Sequence, residues 1–316
     1  MTEKSNETSA KRPSRSNKDI SSSDKSISNP QQTRKESRKP RSSGPKVKRR
    51  AGGGEANQIA RDRVEPTVKY ISELKGKRKI IGLTAYDAIL GSAVSQAGVD
   101  FILVGDSLGT TLLGHATTIN VTLEDMIRHT AAVRRSNPKC LLVADLPFGE
   151  ASFSFDRLLE SSRRLMQEGG ADAVKIEGGR DVAEDVEKLV ATGIPVLGHI
   201  GLLPQTVKAI GGYRKFGDSR EEAEALYTDA ITLEDAGCFA IIAEMVVDTV
   251  AANLSKQILP PLIGIGSGQD CDGQILVTTD LLGWSFGSIP KFVKPYANLN
   301  KVVADALSRY VKDLSS

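Results

Sequence analysis

The sequence predicts an α/β protein built as a (β/α)8 TIM barrel behind a basic N-terminal extension. Three observations predict it. From residue 65 onward, short β-branched runs alternate strictly with helical stretches, the order in which parallel strands and their covering crossover helices arise. The alternation repeats eight times in roughly 250 residues, the usual size of such a barrel. Four acidic residues, Asp106, Asp145, Glu177 and Glu244, also stand where apolar strand-like runs end, and in a barrel those ends share one rim.

Taken in order, the strand-like runs are 79–84, 101–104, 141–144, 173–176, 196–198, 240–243, 262–265 and 291–293. Each is short, and β-branched residues recur among them. The helix candidates are 87–96, 123–135, 156–168, 182–191, 220–235, 247–257, 274–282 and 298–311. Thr122 with Asp125 three residues on marks one helix start. Gly98, Gly170, Gly193 and Gly237 stand just past four helix ends, where a left-handed cap is needed. An open doubly wound sheet is the competing architecture, but no dinucleotide fingerprint follows the first strand.

The composition divides the chain. Residues 1–60 carry a net charge of +9 and the remainder −6, so the overall +3 conceals an acidic body with a basic arm. Residues 1–64 are rich in Ser, Lys, Arg and Pro and hold almost no large apolar side chain, which predicts a disordered extension ahead of a catalytic barrel over residues 65–316. A nucleic-acid arm, a localisation signal and a transit peptide are the functional readings of that extension; the six acidic residues within 1–60 argue against the last. Cys140, Cys238 and Cys271 are widely spaced and lack metal-ligand spacing, which predicts a reducing compartment. No run approaches the ~20 apolar residues of a membrane span, so a cytoplasmic protein with no membrane partner is expected.

Strand-end residues of a barrel face one bowl, which places Asp106, Asp145, Glu177, His199 and Glu244 on five consecutive strands. A carboxylate on an apolar strand is neutralised or solvated at the strand's mouth, since burying it alone costs several kcal/mol. Carboxylate oxygens are hard ligands, so a shared cation is expected to be Mg²⁺, with Mn²⁺ as substitute. Lys175 lies two residues before Glu177 and therefore points the same way, as a countercharge for an oxyacid or as a structural ion pair. The Gly264–Gly268 loop is either an anion cradle or a plain tight turn. Cys271 reads as an inert thiol, His129 as a polar helix residue, and His115 as a loop residue able to close over the bowl.

The segments Thr84-Ala85-Tyr86-Asp87, Val104-Gly105-Asp106-Ser107-Leu108-Gly109, Val143-Ala144-Asp145-Leu146-Pro147-Phe148, Val174-Lys175-Ile176-Glu177-Gly178-Gly179, Gly198-His199-Ile200-Gly201-Leu202, Gly211-Gly212-Tyr213 and Cys271-Asp272-Gly273-Gln274 carry a resemblance. Together with Val121 to Met126, and in this order, they resemble the ketopantoate hydroxymethyltransferase family from about residue 66 to 300. The resemblance implies a Mg²⁺-dependent barrel enzyme that moves a one-carbon unit from 5,10-methylenetetrahydrofolate to 3-methyl-2-oxobutanoate, giving ketopantoate for pantothenate synthesis. It implies Asp106 and Asp145 as metal ligands bordering the keto acid, Glu177 as a third acid at the metal, Ser107 and Lys175 as keto-acid contacts, and Glu244 as the base. His199 would stand behind these groups, and a ring-based homo-oligomer, typically a homodecamer, is implied as well.

The chain also departs from the family pattern. Met245-Val246-Val247 replaces an expected Cys-Val-Pro, Gly266-Ser267-Gly268 replaces Gly-Ala-Gly, Leu203 stands where Thr is common, and Gly149 to Phe155 is enlarged. The first alternative function is another Mg²⁺-dependent keto-acid lyase or mutase of the phosphoenolpyruvate/isocitrate lyase-like barrels, whose Cys-bearing acid/base loop is not found here. The second is a nonenzymatic barrel that binds nucleic acid or an acidic partner through its basic arm, a mode that gives steep salt dependence.

Overall fold

A computed structural model describes residues 67–315. The disordered extension expected over residues 1–64 lies outside the described residues. Helix α1 (Val68–Glu73) precedes a closed barrel of eight parallel strands, each hydrogen-bonded to its neighbours in sequence order and β8 returning to β1. The strands are β1 (Ile80–Thr84), β2 (Phe101–Val104), β3 (Leu141–Asp145), β4 (Ala173–Glu177), β5 (Val196–Gly201), β6 (Ala240–Glu244), β7 (Leu262–Ile265) and β8 (Gly273–Leu276). Between them run α2 (Ala88–Ala97), the short α3 (Leu108–Thr111), α4 (Leu123–Arg134), α5 (Phe155–Gln167), α6 (Ala183–Ala191), the short α7 (Val207–Ile210), α8 (Arg220–Asp235) and α9 (Asp248–Gln257). The short α10 (Thr278–Leu281) and the long α11 (Leu299–Ser315) follow β8.

Local chemistry sets these boundaries. Thr122 and Asp125 form a reciprocal capping box on α4, satisfying two backbone donors that the first turn leaves open. Gly98, Gly170, Gly193 and Gly237 all take positive φ, as their places past the helix ends require. Strand register then decides which residues face inward. One apolar cluster fills the barrel with Phe101, Leu103, Leu141, Val143, Leu197 and Ile242, while their alternates Ile102, Leu142, Val174 and Ile241 pack beneath the helices. Truncating one of these interior side chains to Ala would cost about 2–5 kcal/mol. At the bottom, Ile71 and Leu74 join the interior cluster, and Lys75 Nζ donates to the Ile258 and Pro260 carbonyls at 2.7 and 3.0 Å, so the end of α1 closes that mouth.

The eighth strand differs from expectation. It is Gly273–Leu276, overlapping the 274–282 stretch predicted as a helix, and no strand forms at 291–293. Over four residues the two hydrophobic periods are hard to separate, and Gly273 decides the matter by proximity. A Cβ there would lie 2.5 Å from the Ile80 carbonyl oxygen, so only glycine lets β8 close against β1. Residues 291–293 lie between Pro290 and Pro295, and the Val293 N–H closes a turn onto the Pro290 carbonyl at 2.9 Å.

Candidate active site

The interior alternation continues to the top of the strands, where the inward positions become polar. On β3 the inward series Leu141, Val143 ends at Asp145; on β4 Ala173 leads to Lys175 and Glu177; on β5 Leu197 leads to His199; on β6 Ala240 and Ile242 lead to Glu244. Asp106 lies just past β2. These groups meet around a cavity of ≈ 170 Å³ lined by Asp106, Ser107, Asp145, Lys175, Glu177 and Glu244, and His199 sits directly beneath them. The seven residues singled out from the sequence are thus brought together.

Lys175 Nζ lies 2.6 Å from Asp145 Oδ2 and 3.4 Å from Glu177 Oε1, all three side chains being buried. Burial alone would lower the Lys175 pKa, but Asp145, Glu177 and Asp106 outweigh it and raise it, keeping the ammonium charged. One ammonium cannot balance three carboxylates. Burial first, and then repulsion from Asp145 and Glu177, push Asp106 well above the ordinary carboxylate range. Asp145 is raised chiefly by burial, against the opposing pull of Lys175. Burial would also raise Glu177, but the Lys175 charge and contact with His199 hold it below its ordinary value.

His199 stands between two acids. Its Nδ1 is 3.4 Å from Glu177 Oε1 and its Nε2 3.3 Å from Glu244 Oε2, neither contact being aligned as a hydrogen bond. Burial and the Lys175 charge would lower its pKa, yet Glu177 and Glu244 outweigh them and raise it. The side chain of Glu244 keeps 18% of its surface exposed, against 4% for Glu177, so Glu244 is the acid of this pair that is open to the cavity. Ser107 Oγ is 2.9 Å from the Tyr86 hydroxyl, which orients it at the cavity wall.

Sequence reasoning missed Gln205. Its Nε2 donates to Asp106 Oδ2 at 3.0 Å and to the Leu146 carbonyl at 2.9 Å, and its backbone N–H donates to Glu177 Oε2 at 3.2 Å. A single residue in the loop after β5 therefore ties β2, β3 and β4 together, and no local pattern announces it. Tyr213 and Asp280 also line the cavity, Tyr213 as an exposed residue and Asp280 as a buried one. Tyr213 belongs to a segment noted in the sequence without a role.

The departures after Glu244 are physically linked. Met245 adopts φ 50°, a left-handed conformation that is uncommon outside glycine and costs on the order of 1–2 kcal/mol. Its N–H donates to the Ile265 carbonyl at 2.8 Å and its carbonyl accepts from the Phe216 N–H at 2.8 Å. Buried Ser267 completes the restraint: its hydroxyl accepts from the Val246 N–H at 2.9 Å and donates to the Ala243 carbonyl at 2.8 Å, bridging both sides of Glu244. Gly266 beside it holds φ 64°, a left-handed backbone that favours glycine. The Gly264–Gly268 loop is therefore a tight turn that braces the end of β6.

The remaining candidates fall away from the cavity. Cys271 is fully buried, its thiol pushed up to about 11 by burial, in keeping with an inert side chain. His129 Nδ1 contacts the Tyr86 carbonyl at 2.6 Å on α4, and His115 does not line the cavity. The Gly149–Phe155 segment does not line it either; Glu150 pins it to α5 through Arg157 at 2.6 Å and through Ser161.

The three acids also fit a divalent cation. One oxygen each of Asp106, Asp145 and Glu177 lies within 4.8 Å of the others, and Asp145 Oδ1 is buried with no hydrogen-bond partner. Excess negative charge, an orphaned oxygen and an all-oxygen donor set suit a hard ion such as Mg²⁺. Among the described residues, no helix is long and apolar enough to cross a membrane.

Comparison with known proteins agrees with this geometry. Two solved structures share the fold at low identity: 2,3-dimethylmalate lyase, described as a PEP mutase/isocitrate lyase superfamily member (TM-score 0.53, 16% identity, 80% of this chain and 88% of that one), and phosphoenolpyruvate phosphomutase from Streptomyces platensis subsp. rosaceus (TM-score 0.51, 12% identity, 78% and 87%). Relatives named 3-methyl-2-oxobutanoate hydroxymethyltransferase are much nearer in sequence. The protein from Pseudothermotoga lettingae is 47% identical over 249 residues, covering 79% of this chain and 94% of its own length. That from Thermotoga neapolitana is 48% identical over 247 residues, covering 78% and 91%. The model of the ketopantoate hydroxymethyltransferase family matches residues 65–316, and the chain belongs to that family.

Proposed function

We infer that this protein transfers a hydroxymethyl group from 5,10-methylenetetrahydrofolate to 3-methyl-2-oxobutanoate, giving ketopantoate in pantothenate biosynthesis. The observation that carries the reading is the convergence of Asp106, Ser107, Asp145, Lys175, Glu177 and Glu244 on one small cavity, in a chain that belongs to this family. The reaction needs a proton removed from C3 of the keto acid and the resulting negative charge stabilised until the new carbon–carbon bond forms.

Asp106 and Asp145 are assigned to hold Mg²⁺ beside the keto acid, with Glu177, which also meets Lys175 and the Gln205 N–H, as the third acid at the metal. When bound, the ion supplies Lewis-acid stabilisation of enolate charge. Lys175 adds a fixed positive charge at the same wall, and Ser107 offers a hydroxyl to the substrate. Glu244 is the base: it is open to the cavity, and its restrained backbone fixes its aim. A positioned carboxylate of this kind contributes about 10²- to 10⁴-fold. His199, between Glu177 and Glu244, steadies the base electrostatically.

The same reading includes a ring-based homo-oligomer, a decamer, working in the cytoplasm. Helix α11 supports association, since Val302, Leu307, Tyr310, Val311 and Leu314 are all exposed along it. The three buried free cysteines suit a reducing compartment. Turnover of the two substrates with and without Mg²⁺ tests the function. Activity is expected only with the metal and both substrates, and a protein inactive under those conditions would refute the assignment.

A further inference from the structure

A second cavity, of ≈ 240 Å³, opens on the same rim beside the acid-lined one. Thr111 lines both, so the two adjoin across a single side chain. The walls of the second come from Tyr86 after β1, Leu112 after β2, and Trp284 and Phe286 after β8. Apart from the Tyr86 hydroxyl that orients Ser107, nothing in the chemistry assigned above uses these residues.

Several features suit this cavity to a ligand. Trp284 and Phe286 leave 49% and 83% of their surfaces exposed, although aromatic faces ordinarily find cover. Thr279, only 7% exposed, lines the cavity, and its Oγ1 is buried with no hydrogen-bond partner. Leaving such a hydroxyl unsatisfied is costly, and a polar ligand edge would recover that cost. Asp87 adds a carboxylate to the wall, with Oδ1 accepting from the Leu90 N–H at 2.8 Å. The next residue in the chain after Thr279, Asp280, faces the acid cavity, so one helical turn addresses both spaces.

The occupant these walls suit is a heteroaromatic ring with hydrogen-bonding edges. Carbon transfer requires the donor carbon to come within about 3–3.5 Å of the nucleophile, so the donor's subsite has to share a wall with the keto-acid cavity. We propose that the second cavity is the subsite for the reduced pterin of the one-carbon donor, stacked on Trp284 and Phe286 and bonded at its edge to the Thr279 hydroxyl. The assignment rests on the one-carbon-transfer reading and adds to it where the second substrate sits.

Trp284 is the single tryptophan of the chain, which makes the subsite directly observable. The full-length protein with Mg²⁺ is titrated with tetrahydrofolate, following tryptophan emission and calorimetric heat together. Saturable quenching with the calorimetric Kd is expected. Phe286→Ala and Thr279→Val should each weaken binding, and raise KM for the donor but not for the keto acid, by about 10-fold, the loss of one stacking or buried hydrogen-bond contact. Because Phe286 is largely exposed, its truncation leaves the core untouched. Tetrahydrofolate that binds by calorimetry without altering emission, or binds both variants as tightly as the native chain, would place the pterin elsewhere while leaving the enzyme assignment intact. A native chain that neither binds tetrahydrofolate nor turns over the donor would overturn the assignment itself, and the subsite with it.

Discussion

The two halves of the barrel rim differ in kind. From β2 to β6 the inward strand ends carry charge or a titratable ring: Asp106, Asp145, Lys175, Glu177, His199 and Glu244. Over β7, β8 and β1 the strand ends in the same cavity are Ile265, Ile275, Val277 and Thr84, with Asp280 in the helix after β8 the one acid on that side, and the neighbouring cavity is walled there by Tyr86, Trp284 and Phe286. Every strand obeys the same alternation, so the contrast comes from sequence at one layer of the barrel and not from a change of fold. On the proposed reading, charge is concentrated where a proton is to be moved and an enolate stabilised. The apolar side is left to hold the flat, weakly charged ring of a second substrate.

The largest expected effect of disturbing the charged half is at Asp145. Asp145→Asn removes the carboxylate with the orphaned oxygen and the partner of Lys175. Loss of Mg²⁺ affinity and of turnover by about 10³-fold or more is expected, as for removal of a metal's Lewis-acid contribution. Chelation of the native protein should abolish turnover, and Mg²⁺ or Mn²⁺ should restore it; undiminished activity in chelator would remove the metal from the mechanism. Next comes Lys175→Met, which leaves three buried carboxylates without their cation. Destabilisation of about 3–5 kcal/mol is expected in denaturant titration, and a stability unchanged from the native chain would mean that the acids are protonated and the ion pair idle.

Smaller effects should follow from the supports. Gln205→Leu deletes the amide that ties Asp106 to the β3 loop, and weaker Mg²⁺ binding with turnover reduced about 10-fold is expected for the loss of a hydrogen bond to a charged group. Ser267→Ala removes the hydroxyl bridging Ala243 and Val246. Two buried backbone groups would lose their partner, at about 1–3 kcal/mol of stability, with kcat falling more than KM for the keto acid because only the aim of Glu244 shifts. A kcat at the native level would show that the left-handed Met245 turn holds without the clamp.

Much of this arrangement was legible in the sequence because strand position and inward phase are short-range properties. Asp145, Lys175, Glu177 and Glu244 could be read from where apolar runs stop, and seven of the eight strands from their β-branched runs. The eighth was not legible: Gly273 to Leu276 is too short for its period to declare itself, and closure against Ile80 is a tertiary contact. Gln205 was missed for a related reason, since its three partners come from residues 106, 146 and 177 and nothing local marks it. The Ser267 substitution was visible as a departure, yet its meaning depends on the approach of two loop backbones. The aromatic cavity carried no sequence signal because Trp284 and Phe286 sit in an irregular segment.

The contrast between the halves rests on Glu244 being the group that removes the C3 proton. Glu244→Gln, which keeps shape and loses basicity, should retain Mg²⁺ and keto-acid binding. Solvent exchange of the C3 hydrogen, followed by proton resonance in deuterated water without the folate, should fall together with turnover by about 10² or more. Exchange persisting at the native rate while turnover is lost would contradict the assignment and move Glu244 to the later carbon-transfer step.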